Sequence, residues 1–108
     1  MDPFTKDVIH IIKTIPFGKV MTYGQIAFMA HKPFAARQVA WILHAMSLKE
    51  SLPWHRVINA KGQISLGGEM GLIQQSRLID EGVQIINKRI NLSIYGYQPE
   101  REGEDNED

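Results

Sequence analysis

The chain has 108 residues, 44% of them hydrophobic and 22% charged, and no cysteine. One domain of ordinary size is expected, able to bury a core but with a small stability margin. A disulfide framework, a thiolate zinc site and a cysteine nucleophile are excluded. The formal charge of zero conceals an asymmetry: residues 100–108 hold six of the twelve acids, so residues 1–99 carry eleven bases against six acids, a net of +5. A body of that sign attracts phosphate, although many basic domains bind no nucleic acid. The domain is expected over residues 1–98, with 99–108 as an acidic, solvated, disordered tail. No apolar run approaches the ~18 residues of a membrane span, and the stretch from Met1 to Asp7 lacks the basic start of a signal peptide. A soluble protein with no membrane partner is therefore expected, cytoplasmic in a bacterium or nuclear in a eukaryote.

Phe4, Val8, Ile11, Ile12 and Ile15 recur at helical spacing behind Asp2-Pro3, which supplies a cap and a proline at the first helical position. This predicts a helix over about 3–14. After the break at Pro16-Phe17-Gly18, Thr22 and Gln25 have the spacing of a capping box, predicting a short helix over 23–30. His31-Lys32-Pro33 breaks the chain again. Val39, Ile42, Leu43 and Met46 then form a buried stripe on a helix over 35–47, whose other face carries Arg37, Ala40, Trp41 and His44. Two helices joined by a tight break, the second with a basic and aromatic outer face, fit a helix-turn-helix; they also fit an ordinary helical hairpin. Val57-Ile58 and Gln63-Ile64-Ser65 flank the turn Asn59-Ala60-Lys61-Gly62 and predict a small β-hairpin in the position of a wing. Gly67-Gly68 precedes a fourth helix over about 70–81, closed by Gly82, and residues 83–97 are apolar enough to pack back. The fold class is thus α+β, mainly helical and winged-helix-like.

Few residues offer chemistry. The four histidines show neither HExxH nor clustered ligand spacing, so no metal is expected. Gly67-Gly68-Glu69-Met70-Gly71 lacks the lysine and hydroxyl residue of a P-loop, and no cofactor is implied. Trp54-His55-Arg56 is the densest polar and aromatic cluster. On residue type alone Trp54 is open between core and ligand platform, and Arg37 between a solvated charge and a DNA contact.

Four segments in order carry a resemblance: Ile15-Pro16-Phe17-Gly18-Lys19-Val20, Thr22-Tyr23-Gly24-Gln25-Ile26-Ala27, Ala36-Arg37-Gln38-Val39 and Pro53-Trp54-His55-Arg56-Val57-Ile58. Over about residues 3–85 the chain resembles the DNA-binding and active-site domain of O6-alkylguanine-DNA alkyltransferases. That signature reads Pro-Cys-His-Arg-Val, and Trp54 stands where the alkyl-accepting cysteine belongs. The substitution is similar to that in the alkyltransferase-like proteins, which bind alkylated guanine without repairing it and direct it to nucleotide excision repair. The resemblance implies a non-catalytic protein whose partners are double-stranded DNA containing O6-alkylguanine and nucleotide excision repair proteins. Nothing in that role requires symmetry, and a monomer is expected.

The resemblance also implies residue roles. Arg37 corresponds to the finger that fills the gap left by a flipped nucleotide, and Tyr23 to the tyrosine that presses on the neighbouring phosphate. Ala36 and Ala40 permit close approach to the minor groove, with Trp41 and His44 on the same DNA-facing side. Tyr23, Trp54, Val57, Gly67 and Gly68 are expected around the flipped base, and His55, Arg56 and Glu81 as its scaffold. Gly67 and Gly68 replace a tyrosine and a serine of the alkyltransferase pocket, which predicts a wider pocket. Two alternatives remain: a winged-helix transcription regulator reading undamaged DNA, and a hydrolase in which His55 and Glu81 activate water.

Overall fold

The structure is a computed structural model and describes residues 1–99; the acidic stretch 100–108, and with it the expected tail, lies outside the described residues. Helix α1 (Pro3–Lys13) begins where Asp2 caps it, its carboxylate accepting from the Thr5 N–H at 2.8 Å. Its apolar stripe is buried against α2 (Tyr23–Met29) and α3 (Ala36–Met46). Val8, Ile12, Ile26, Ala27 and Val39 are all fully buried there. Complete burial of aliphatic side chains of this size contributes roughly 1.5–3 kcal/mol each, which makes this cluster the main support of the helical layer.

Helix α2 starts with the expected capping box: Thr22 Oγ1 accepts from the Gln25 N–H at 3.1 Å, and Gln25 Oε1 accepts from the Thr22 N–H at 3.4 Å. After α3 a 3₁₀ turn at Trp54–Arg56 leads into β2 (Val57–Ile58). Helix α4 (Gly68–Asp80) ends in a Schellman motif, with the Gly82 N–H on the Ile79 carbonyl at 2.9 Å and the Val83 N–H on the Leu78 carbonyl at 3.0 Å. Gly82, at φ +88°, supplies the left-handed residue this closure requires. Helices α1 to α4 thus lie within two residues of their sequence-predicted bounds.

The strand pairing differs from expectation. Strand β2 does not turn back on Gln63-Ile64-Ser65; it pairs in parallel with β1 (Met21–Thr22), Met21 opposite Val57 and Thr22 opposite Ile58. The turn itself forms, since the Asn59 side chain accepts from the N–H groups of Lys61 and Gln63. Gln63 then bridges to Arg89. The two-stranded hairpin lies instead between β3 (Ile85–Ile86) and β4 (Arg89–Ile90), joined through Asn87 and Lys88, both at positive φ. A single turn of helix, α5 (Leu92–Tyr95), follows, and the Tyr97 N–H closes on the Val20 carbonyl at 2.8 Å. Val20, Ile58, Ile64, Leu78, Val83 and Ile90 form the second core cluster, beneath this layer. No helix among the described residues is long and apolar enough to cross a membrane.

Candidate nucleic-acid interface

The parallel β1–β2 pair sets the start of α2 beside the 3₁₀ turn, and so brings Tyr23 and Trp54 to one place from 31 positions apart. Below them lies an ion-paired base. Arg56 donates from Nε to Glu81 Oε1 at 3.0 Å, from Nη2 to Oε2 at 2.8 Å, and from Nη1 to the Ile15 carbonyl at 2.9 Å. His55 Nε2 is 2.7 Å from Glu81 Oε2, and the Gly18 N–H donates to Oε1 at 2.8 Å. Gly18 reaches that carboxylate from φ +82°, a conformation that favours glycine. Burial of Glu81 alone raises its pKa, but the donors from Arg56, Gly18 and His55 prevail and hold it at about 2. A carboxylate so satisfied is a weak base. Arg56 points inward, as a structural arginine.

Above this base is a cavity of about 540 Å³, lined by Tyr23, Ala40, Leu43, His44, Ser47, Trp54, Leu66 and Met70. The volume falls in the range of sites that enclose small ligands. Trp54 is half-buried; its indole lies edge-on to the His55 ring at 6.4 Å between centroids, and the Arg77 guanidinium sits over it at 5.4 Å. Burial pushes the Tyr23 phenol pKa up, so it is a neutral hydroxyl in ordinary buffers.

Three residues expected around this cavity are elsewhere. Val57 is 1% exposed and belongs to the core; its carbonyl accepts from the buried Gln74 amide at 3.0 Å. A strand paired through its backbone and packed beneath the 3₁₀ turn cannot also present its side chain to the cavity. Gly67 and Gly68 leave the wall to their neighbours Leu66 and Met70, and Gly68 borders a separate small hollow against α4. Leu43 and Ser47 were legible in principle, Leu43 following Ala40 by three residues on α3 and Ser47, at its C-terminal cap, following His44 by three. Leu66 and Met70 carried no such signal.

Along the outside of α3, Arg37, Trp41 and His44 form one exposed stripe, and the Trp41 and His44 rings stack at 6.2 Å and 22°. A second hollow, about 710 Å³, lies between Phe34, Ala35, Arg37, Gln38, Ala40 and Trp41. Ala40 borders both hollows, while Ala36 is half-exposed one turn earlier. Among the described residues no three histidine or acidic side chains converge as a metal site would require.

Residues 3–83 match the family described as 6-O-methylguanine DNA methyltransferase, DNA binding domain. The DNA base-flipping protein of Escherichia coli (strain K12) is 44% identical over 95 residues, covering 87% of this chain and 74% of its own. Alkyltransferase-like protein 1 of Schizosaccharomyces pombe is 39% identical over 108 residues, covering 92% and 98%. A crystal structure of S. pombe Atl1 in complex with damaged DNA containing O6-carboxymethylguanine matches with a TM-score of 0.81 at 38% identity, over 92% of this chain and 98% of that one. A structure of Mycobacterium tuberculosis OGT in complex with DNA matches at 0.58 and 29% identity, over 75% and 50%. The match over residues 3–83 and the relatives at 44% and 39% identity show a common descent and fold, and the chain belongs to the alkyltransferase-like family.

Proposed function

We propose that this protein recognises O6-alkylguanine in duplex DNA by rotating the nucleotide out of the stack into the Tyr23–Trp54 cavity. It holds the lesion without removing the alkyl group, and leaves it for nucleotide excision repair proteins to act on. The observation that carries this reading is an apolar cavity of nucleobase-binding scale beside an exposed cationic helix, with an indole in its wall and no thiol in the chain. The names of the relatives support it: one is a base-flipping protein, another is seen on DNA carrying an O6-substituted guanine.

Unstacking a base costs a few kcal/mol, and contact with an aromatic wall returns ~1–3 kcal/mol. Arg37, exposed on the ridge of α3, fills the vacated place in the stack, and Tyr23 bears on the adjoining phosphate. Alkyl transfer would need an attacking group with a free electron pair and a proton to lose, and an indole at residue 54 offers neither at neutral pH. Glu81, held by Arg56 and Gly18 as well as by His55, ties the 3₁₀ turn to the end of α4, and we read the pair as scaffold for the cavity rather than as a base for water.

Competition binding with two duplexes that differ in a single O6-methylguanine tests the reading. The modified duplex is expected to bind more tightly and to be recovered with its methyl group in place. Arg37→Ala is expected to lower lesion affinity by roughly tenfold or more with an unchanged unfolding midpoint, since an exposed side chain outside the core contributes little to stability. Equal affinity for both duplexes would favour a regulator reading intact sequence; recovery of plain guanine would make the protein an enzyme.

A further inference from the structure

Resting on that reading, we propose that the hollow between Phe34 and Trp41 docks the undamaged strand of the same duplex, so that the protein grips both strands across α3. Phe34 is 99% exposed and Trp41 70% exposed, an apolar area that a small monomeric domain rarely leaves uncovered. The hollow lies on the other flank of α3 from the Trp54 cavity, and Ala40 is the wall between them.

The geometry of a duplex selects the occupant. An α-helix is ~10–12 Å across and the minor groove of B-DNA is roughly 6 Å wide, so a helix can seat there only where the duplex is bent and the groove opened, and it then has one strand on each flank. With the damaged strand feeding the Trp54 cavity, the opposite flank meets the complementary strand. Charge agrees: among the described residues Arg37 is the one charged side chain lining this hollow, and no carboxylate lines it. The Phe34 ring and the face of the Trp41 indole present apolar surface to deoxyribose, while the indole N–H can donate to a phosphate. The stack of Trp41 on His44 fixes the ring relative to the lesion cavity, because His44 lines that cavity. Such contacts read no sequence, which suits a protein that must bind wherever damage falls.

The test compares a lesion-bearing oligonucleotide as a single strand and as a duplex, with wild type, Trp41→Ala and Phe34→Ala, each checked for an unchanged unfolding midpoint. Both variants are expected to lose roughly tenfold in duplex affinity, the scale of one aromatic platform, and nothing measurable with the single strand. Photocrosslinking from 5-iodouracil placed in the undamaged strand is expected to reach Trp41 or Phe34. Equal losses on single strand and duplex, or crosslinks from the damaged strand only, would overturn the strand assignment. Unchanged duplex affinity would also overturn it and give the hollow to a protein partner. In each of these the wild-type preference for the lesion survives, whereas loss of that preference would overturn the function itself.

Discussion

The base of the site and the ridge of α3 lie side by side and use their polar groups in opposite ways. At the base, Glu81 gathers Arg56, His55 and the Gly18 N–H, and Arg56 also holds the Ile15 carbonyl, so the cluster ties the segment after α1, the 3₁₀ turn and the end of α4 together. On the ridge, Arg37 makes no hydrogen bond among the described residues, and Trp41 and Phe34 face solvent. The arginine and the glutamate are consumed by folding, as is Nε2 of the histidine, and contact with a ligand falls mainly to groups the fold leaves unused. Substitutions at the base should therefore act on stability, and those on the ridge on affinity.

The largest effect that can break this division is expected at Glu81. In Glu81→Ala the Arg56 guanidinium, with 17% of its side chain exposed, loses its carboxylate. Removing one partner of a largely buried pair costs ~3–5 kcal/mol, to be read from urea unfolding. Lesion affinity of the folded fraction should change little; a large loss of affinity at full stability would place Glu81 in binding after all. Glu81→Gln sharpens the point through pH. The carboxyl is held at about 2 against an ordinary 4.5, so its contribution is fully present above 4.5 and is lost as pH falls through that window toward 2. The stability gap between wild type and Glu81→Gln should close over that range, and a gap independent of pH would show that the charge is immaterial.

A smaller effect is expected where the two regions meet. Thr22 belongs to the β1–β2 pair and caps the helix that begins with Tyr23. Thr22→Ala removes the cap and is expected to cost ~1 kcal/mol in thermal or urea unfolding. Because the first turn of α2 carries Tyr23, a few-fold loss of lesion affinity should accompany it, unlike the clean separation expected at Glu81 and Arg37. Stability loss with no change in affinity would show that Tyr23 is positioned by its burial against the core rather than by the helix start.

What could be read in advance follows the range of the interactions. The four main helices were legible because their signals are local: a cap at Asp2, a capping box at Thr22 and Gln25, an apolar stripe on α3, and Gly82 after α4. The partner of β2 was not. Asn59 and Gly62 do make a turn, but a parallel partner must lie far away in sequence, and Met21 carries no mark that selects Val57. Val57 was expected at the cavity from the resemblance, in one segment with Trp54, and only the strand pairing reveals that it turns inward. Leu66 and Met70 take their places in the wall because the loop entering α4 folds over Gly71, where an added Cβ would lie 2.2 Å from the Leu66 carbonyl. Nothing in residue type announces that crossing.

The smallest effect concerns the ridge alone. Residues 100–108 carry six acids and one base, so their removal takes the chain from zero to +5. Like-charge repulsion between those acids and phosphate opposes non-specific binding, and its removal should tighten binding to undamaged duplex by a few-fold at ~0.01 M salt. The gain should fade near 1 M, where screening acts within ~3 Å. The ratio of lesion to undamaged affinity should hold, because the added attraction is a phosphate term that both duplexes share. Unfolding stability should not move. A salt titration of both duplexes with the shortened chain checks this, and an unchanged low-salt affinity would mean that the acids lie too far from the ridge of α3 for their field to reach the DNA.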